Sequence, residues 1–202
     1  MAEKFPEPLE RLINELSRLP TIGRKSAQRL AFYILKCPRE QPLALARALE
    51  QLHERLGFCP RCFYIATGEL CSICADPGRD ASQLCVVEEP QDVAAFDKPG
   101  AYKGLYHVLL GRLSPLQGVT PEDLKINELL TRIKDPMSRV QEVILATNPN
   151  VDGDATALYL SRLIEPLGIR TTRLGLGLSI GSSIEYADEL TIRKAFEGRR
   201  EL

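Results

Sequence analysis

The sequence lacks several features that identify enzymes and membrane proteins. Of its 202 residues only two are histidine, His53 and His107, so histidine-based catalysis has few candidates. Both stand within apolar helix or strand patterns, and we expect them to be packed. No apolar run approaches the roughly 18 residues needed to span a bilayer. The Gly-x4-Gly-Lys-Ser/Thr loop that cradles nucleotide phosphates is absent, which argues against an ATPase.

The chain also lacks a large net charge of either sign, since its net charge is −1. Composition therefore gives no sign of a uniformly basic surface that binds nucleic acid. The distribution is uneven. Residues 1–58 contain ten Lys and Arg against seven Asp and Glu, whereas residues 81–165 contain eight against twelve. A basic first part and an acidic central part suggest two different roles. The basic excess is small enough to be an ordinary solvated surface.

Four of the six cysteines form two Cys-x2-Cys pairs, Cys59 with Cys62 and Cys71 with Cys74, separated by eight residues. Two such turns bring four thiolates around one ion, and soft ligands in tetrahedral geometry favour Zn2+. Four protein ligands leave no open coordination position, so the predicted role is structural. The alternative is a pair of disulfides in a secreted protein, which the rest of the sequence does not favour.

The start of the chain, MAEKFPEPLERL, does not follow the basic-then-apolar pattern of a signal peptide. The remaining cysteines, Cys37 and Cys85, lie beside apolar residues, and we expect both to be buried thiols. Together these features predict a cytoplasmic protein without a membrane partner.

Apolar residues recur at helical spacing in three N-terminal segments. The first ends at Pro20, the second runs from about Arg24 to just before Pro38, and the third follows Pro42 and ends at Gly57. Three short helices are therefore expected before the cysteine ribbon.

The hairpin between the first two helices, residues 19–30, is a candidate phosphate site. Gly23 lies in its turn, and Lys25 and Arg29 share one helix face. Amides at a helix start with two cations suit a phosphate without reading a base; the alternative is an ordinary hairpin with solvated charges. The segment resembles the helix-hairpin-helix of DNA-binding proteins, with Thr21 in place of the first glycine. If that position needs a positive φ, Thr21 is strained.

After Gly78 the pattern changes to short apolar runs that alternate with helices. A helix is expected from about Ala155 to Ile164, and such alternation predicts a parallel, covered sheet. The predicted strands are residues 84–87, 143–146 and 169–174, with 106–110 as a further candidate.

Three carboxylates follow two of these strands, Glu88 after the first and Asp152 and Asp154 after the strand at 143–146. Carboxyl ends of parallel strands meet where α/β sheets bind ligands. Three carboxylates there repel one another unless a cation such as Mg2+ joins them. The pattern resembles the Toprim fold of topoisomerases, primases and some nucleases, in which the glutamate acts in acid/base chemistry and the aspartate pair holds Mg2+.

Toprim enzymes follow the glutamate with glycine, whereas here Glu89 and Pro90 fill that space. The prediction is therefore a protein that is not an enzyme, in which the set of Glu88, Asp152 and Asp154 is a Mg2+ site or a docking surface for a partner. The rival function is a Mg2+-dependent Toprim nuclease, which needs only metal and carboxylates. A third alternative, a protein adaptor without DNA contact, conflicts with the basic hairpin.

The order of hairpin, four-cysteine ribbon, Toprim-like domain and tail resembles the RecR family of bacterial recombination mediators over nearly the whole chain. Such a resemblance implies a non-enzymatic DNA repair and recombination factor that works with RecO and RecF to load the recombinase on single-stranded DNA. It also implies a homodimer or homotetramer that binds single- and double-stranded DNA as a clamp. The matching segments include residues 25–30, 106–109, 114–116, 121–124 and 147–149.

The predicted fold is a multi-part α+β chain with one structural Zn2+. Gly23, Lys25 and Arg29 are the predicted DNA-binding residues. The predicted parts are a helix-hairpin-helix region at 1–56, a C4 zinc finger at 57–78, an α/β Toprim-like domain with a parallel sheet at 79–175, and a tail for docking or oligomerisation at 176–202.

Overall fold

The structure is a computed structural model that describes residues 5–199, apart from the side chain of His53, so the packing predicted for His53 lies outside it. The chain divides into two compact units between Leu56 and Gly57. The helices are α1 (Glu7–Ser17), α2 (Arg24–Lys36), α3 (Glu40–Arg55), α4 (Ser72–Ala75), α5 (Pro90–Asp97), α6 (Ile126–Lys134), α7 (Val151–Ile164) and α8 (Glu189–Glu197). The strands are β1 (Gly57–Phe58), β2 (Ile65–Ala66), β3 (Asp80–Val87), β4 (Gly104–Val108), β5 (Glu142–Leu145) and β6 (Arg170–Arg173).

The first unit contains the three predicted helices. α1 packs on α2 around a small core of Ile13, Ala27 and Ala31, because the two alanines let the helices approach closely. α3 begins at Glu40, earlier than predicted, since a proline such as Pro42 is tolerated in a first helical turn. The leucine stripe of α3 is exposed, although its spacing suggested a buried face. The exposed residues are Leu45, Leu49, Leu52 and Leu56.

The second unit begins with the cysteine ribbon. β1 and β2 form a two-stranded antiparallel hairpin, with Gly57 opposite Ala66. The short helix α4 follows, and its first residues lie between the second pair of cysteines. The ribbon therefore supplies two tight turns, one in the hairpin and one at α4, that each carry a Cys-x2-Cys pair.

The sheet of the second unit has the order β4-β3-β5-β6, and all three pairings are parallel, as predicted. Side chains of β3 alternate between its faces. Leu84 and Val86 enter a core that includes residues of α6 and α7. Cys85 and Val87 enter a second core, formed with α5 and the cysteine ribbon. The sheet is thus covered on both sides, and the ribbon is part of one cover.

The predicted strands are confirmed with small shifts. The sequence did not predict α5, α6 or α8. α8 has no buried residue, which agrees with a tail that has little core of its own. Within the described part of the chain, no helix has the length and apolar character needed to cross a membrane.

Candidate metal centre and nucleic-acid surface

The four predicted zinc ligands come together in the ribbon. The Sγ atoms of Cys59, Cys62, Cys71 and Cys74 all lie within 4.8 Å of one another, and all four residues are buried. The Sγ atoms of Cys62 and Cys71 are 3.5 Å apart. Tetrahedral Zn2+ with bonds of about 2.3 Å places sulfur atoms about 3.8 Å from each other. The cluster therefore has the size and donor set that Zn2+ requires.

Backbone hydrogen bonds shape both cysteine turns. The Cys59 N–H donates to the Tyr64 carbonyl over 2.7 Å, and the Phe63 N–H donates to the Cys59 carbonyl over 2.8 Å. Phe63 adopts a φ of 61°, which a bulky residue rarely does. In the second turn the Cys74 N–H points at Cys71 Sγ over 3.4 Å. Such a donor favours the thiolate form that binds metal.

The electrostatics of the cluster favour negative charge at Cys74. A hydrogen bond with Cys62 and the positive charge of Arg132 lower the pKa of Cys74 to about 6. The same hydrogen bond and burial raise the pKa of Cys62. Because a metal ligand must be deprotonated, a nearby guanidinium supports a centre of four thiolates.

Arg132 also joins the ribbon to the sheet. From α6 its Nη1 donates to the Tyr106 carbonyl over 2.7 Å and to the Arg61 carbonyl over 3.2 Å. Beside it, the Val108 N–H donates to the Cys62 carbonyl over 2.8 Å. Two backbone groups of β4 that face away from β3, the Val108 N–H and the Tyr106 carbonyl, are thus bound by the first cysteine turn and by Arg132.

His107 is fully buried, as predicted, and contributes to the same junction. Its Nε2 donates to the Lys125 carbonyl over 2.8 Å, and burial lowers the pKa of His107 to about 4. The ring of Phe63 meets His107 edge to face at 5.5 Å, and Lys125 Nζ lies 5.1 Å from the Phe63 centroid. His107 is therefore a neutral imidazole that packs in this junction.

The predicted carboxylate set does not surround a shared cation position. Glu88 is fully buried, and its two oxygens accept from the Asn148 N–H and Nδ2, both at 2.8 Å. The Arg112 guanidinium lies between Glu88, at 3.8 Å, and Asp152, at 3.5 Å. Ser114 Oγ donates to Asp152 over 3.0 Å. Arg112 therefore supplies the positive charge that was predicted to come from Mg2+.

Asp154 belongs to a different contact, an ion pair with Arg173 of β6. The physical reason is that α7 begins at Val151, whereas the sequence suggested a start near Ala155. Two residues apart in a helix, Asp152 and Asp154 point in directions about 160° apart, on nearly opposite faces. Among the described residues, only the four cysteines form a group of three or more His, Cys, Asp or Glu that is close enough to share an ion. The structure gives no support for a Mg2+ site.

Gly153 explains how α7 approaches Glu88 so closely. A Cβ at this position would lie 2.1 Å from the Asn148 carbonyl oxygen and 2.9 Å from Glu88 Oε1. The Gly153 N–H donates to Asn150 Oδ1, which caps the helix. Glycine is therefore required for this approach, and α7 includes the Asp-Gly-Asp segment, which the predicted helix start near Ala155 left outside the helix.

Glu89 and Pro90 begin α5. Glu89 is the N-cap of the helix, and its side chain and that of Asp92 bond reciprocally to backbone N–H groups of the first turn. Glu89 therefore has a local structural role beside Glu88. Burial and the charges of Asp92 and Glu88 raise the pKa of Glu89.

The hairpin of the first unit has the predicted turn. Thr21 adopts a φ of 67°, so the strain expected from a threonine in place of glycine is confirmed. Gly23 is the N-cap of α2 with an ordinary φ of −77°. A Cβ at Gly23 would meet no atom within 4 Å, so neither the backbone nor packing requires glycine there. The position leaves the helix start open to an outside group.

Lys25, Arg29 and Lys36 form what we name the α2 stripe. At about 100° per residue they fall within about 40° of one another, opposite the buried Ala27 and Ala31. The stripe lines a groove of about 800 Å³, and none of the described residues in its walls is acidic. The other lining residues are Ser26, Gln28, Phe32 and Tyr33. Lys25 and Arg29 were predicted from the sequence as DNA-binding residues, and Lys36 was not.

Comparison with known proteins matches four family models along the chain. They describe the helix-hairpin-helix of RecR at residues 9–53, the four-cysteine zinc finger domain of RecR at 56–76, a Toprim domain at 82–175 and the C-terminal part of RecR at 177–200. A protein of Chloroflexus aurantiacus named "Recombination protein RecR" is 55% identical over 195 residues, which cover 96% of this chain and 95% of that protein. The chain belongs to the RecR family.

Other RecR relatives are similar at the same level. The protein of Herpetosiphon aurantiacus with this name is 54% identical and covers 98% of the chain and 96% of its own length. That of Rubrobacter xylanophilus is 53% identical and covers 98% of both. The resemblance predicted from the order of the motifs is confirmed, as are the multi-part α+β fold and its Toprim domain.

Some contacts of this member of the RecR family were not predicted. Cys85 is buried, but Cys37 is only half-buried, so the prediction for Cys37 was wrong. Arg112 and Arg132, the two arginines that hold the Glu88 and cysteine clusters, carried no signal in the sequence. Each lies at least 20 residues along the chain from the group it holds, and only the folded chain brings them together.

Proposed function

We propose that this protein acts in DNA recombination and repair by binding DNA through the α2 stripe, as a factor that is not an enzyme. The observation that carries the proposal is the groove of the first unit, in which Lys25 and Arg29 have no acidic neighbour among the described residues of the wall. The helix start at Gly23 is also open. Its match to the RecR helix-hairpin-helix and the names of the relatives support the same role. Cations and amides recognise phosphate and leave the base sequence unread.

We further propose that copies of the chain assemble as a dimer or tetramer that encircles single- or double-stranded DNA. The exposed leucines of α3 support association, because apolar stripes of this kind are uncommon on isolated surfaces. Family resemblance also supports RecO and RecF as partners in loading the recombinase on single-stranded DNA.

Within this proposal the chain divides into a DNA-binding region at 1–56, a zinc finger at 57–78, a Toprim domain at 79–175 and a docking tail at 176–202. Cys59, Cys62, Cys71 and Cys74 would hold one Zn2+, which supplies folding free energy and no catalysis, because four protein ligands fill its coordination sphere. Glu88, which is fully buried, is proposed to have a structural role. Asp152, which Arg112 bridges to Glu88, is partly exposed and is proposed as structure or docking surface.

Changing Lys25 and Arg29 together to alanine tests the DNA surface. Binding should weaken by a similar factor for all DNA sequences, because the lost contacts are to phosphate. The slope of log affinity against log salt should fall by about 0.9 per lost contact on duplex DNA. Fluorescence anisotropy at several salt concentrations measures both quantities.

The matched control changes two exposed arginines of the other helices, Arg11 and Arg47, to alanine. It alters the net charge by the same amount. The comparison therefore separates the loss of direct phosphate contacts from the effect of a lower overall positive charge. If both double variants lose the same affinity, or if neither loses any at low salt, the α2 stripe is not the DNA surface.

A second test addresses the Toprim nuclease. Purified protein with Mg2+ or Mn2+ should leave single- and double-stranded DNA intact, because Arg112 fills the position between Glu88 and Asp152 and Glu89 adds negative charge beside it. The double variant Asp152→Asn with Asp154→Asn should then have no activity to lose. Metal-dependent cleavage that survives repurification and disappears in this variant would contradict the proposal.

A further inference from the structure

The α2 stripe has an aromatic side chain on each flank. Phe32 and Tyr33 follow one another in α2, and helical geometry places them on opposite sides of the line through Lys25, Arg29 and Lys36. The two rings differ in their surroundings. Phe32 is half-buried and packs edge to face on Phe5 at 5.4 Å, whereas Tyr33 is 66% exposed.

Tyr33 lines the same groove as the three cations, and most of its ring is open to solvent. A tyrosine ring has few rotatable bonds, so it loses little freedom when another flat group packs on it. Its phenol is neutral at physiological pH and does not repel an anionic ligand.

The stripe is long enough to follow a strand. Lys25 and Lys36 are eleven residues apart, which corresponds to about 16 Å along a helix. A stacked strand advances about 3.4 Å per nucleotide, so the stripe spans several successive phosphates. A neutral aromatic ring beside a line of cations is the arrangement by which proteins hold single strands, with phosphates on the cations and bases on the ring.

We propose that Tyr33 is a stacking platform for an unpaired base of single-stranded DNA whose phosphates lie along the α2 stripe. The inference rests on the proposed function and adds a preference to it. In a duplex the bases are paired and stacked inside, so Tyr33 reaches none of them. The cations bind the phosphates of single-stranded and of duplex DNA alike. Tyr33 therefore adds a preference for the single strand.

The test compares Tyr33→Leu and Tyr33→Phe with the unchanged full-length chain. The ligands are an oligothymidine strand, a duplex of equal length and a strand of abasic sites, each followed by anisotropy at low salt. Tyr33→Leu removes the ring, and we expect a loss of about 5- to 150-fold on oligothymidine. Its binding to the duplex and to the abasic strand should change by less than about twofold. Tyr33→Phe retains the ring and should bind oligothymidine as the unchanged chain does.

A 2-aminopurine base in the single strand gives a second readout, because stacking on an aromatic ring quenches its fluorescence. Quenching should occur with the unchanged protein and be lost with Tyr33→Leu. Equal losses on all three ligands, or no loss on oligothymidine, would overturn the inference. If Tyr33 fails these tests but the variant with Lys25→Ala and Arg29→Ala loses DNA binding, the proposed function still holds. If that double variant also binds DNA normally, the stacking role and the proposed function are both wrong.

Discussion

Replacement of Cys62 by serine is expected to abolish zinc binding and to destabilise the unit that begins at Gly57. Structural Zn2+ contributes about 10–16 kcal/mol in isolated zinc-finger peptides, as much as the whole stability of many domains. The ribbon's own strands are only two residues long, so its fold depends on the metal and on its contacts with the sheet. Elemental analysis should fall from one zinc per chain to none, and circular dichroism should show a lower melting temperature.

Cys85→Ser is the matched control, because Cys85 is buried but outside the cysteine cluster. It should keep its zinc and lose only the modest stability that a small core change costs, about 1 kcal/mol. Unchanged protein that contains no metal after careful purification would end the zinc assignment. So would a Cys62→Ser variant that retains a full equivalent.

Glu88→Ala is expected to have the second largest effect, a loss of about 3–5 kcal/mol in the free energy of unfolding. Removing this buried carboxylate leaves Asn148 without an acceptor for its N–H and Nδ2 groups, and leaves Arg112 without one of its two partners. Urea denaturation followed by circular dichroism measures the change.

Asp154→Ala is the comparison for Glu88→Ala. The pair of Asp154 with Arg173 is half-exposed, so its loss should cost about 1 kcal/mol or less. Equal losses in the two variants would contradict the assignment of Glu88 to a buried network and Asp154 to a surface pair. An unfolding free energy that Glu88→Ala leaves unchanged would do the same.

The cysteine centre was predictable because its four ligands lie close together in the sequence. Each Cys-x2-Cys pair is one turn, so the spacing fixes the ligands before the rest of the chain is considered. The three helices of the first unit and the strand at Leu84–Val87 were likewise visible as apolar periodicity or apolar runs. α6 was also visible in principle, since Ile126, Leu129 and Ile133 recur at helical spacing, and it was overlooked.

The carboxylates show where sequence reasoning stops. The strand ends were placed correctly, but the fate of the charges depended on Arg112, which lies 24 residues beyond Glu88 and 40 before Asp152. It also depended on the exact start of α7, and helix boundaries are the least certain part of any such prediction. A shift of about four residues turned a pair of neighbouring ligands into two side chains on different faces.

The position of the ribbon beside β4 has a consequence for solubility. β4, Gly104–Val108, is an edge strand of the sheet and contains neither proline nor a lysine or other charged residue. An edge strand without such residues can pair with strands of other molecules. In the folded chain the Val108 N–H donates to the Cys62 carbonyl, and Arg132 donates to the Tyr106 carbonyl, so both backbone groups are already paired. We expect loss of zinc to release the part of this pairing that the ribbon supplies, the hydrogen bond from Val108 to Cys62. The zinc-depleted protein should therefore aggregate as well as unfold, with light scattering that rises steeply with concentration, so that the metal protects each molecule from its neighbours.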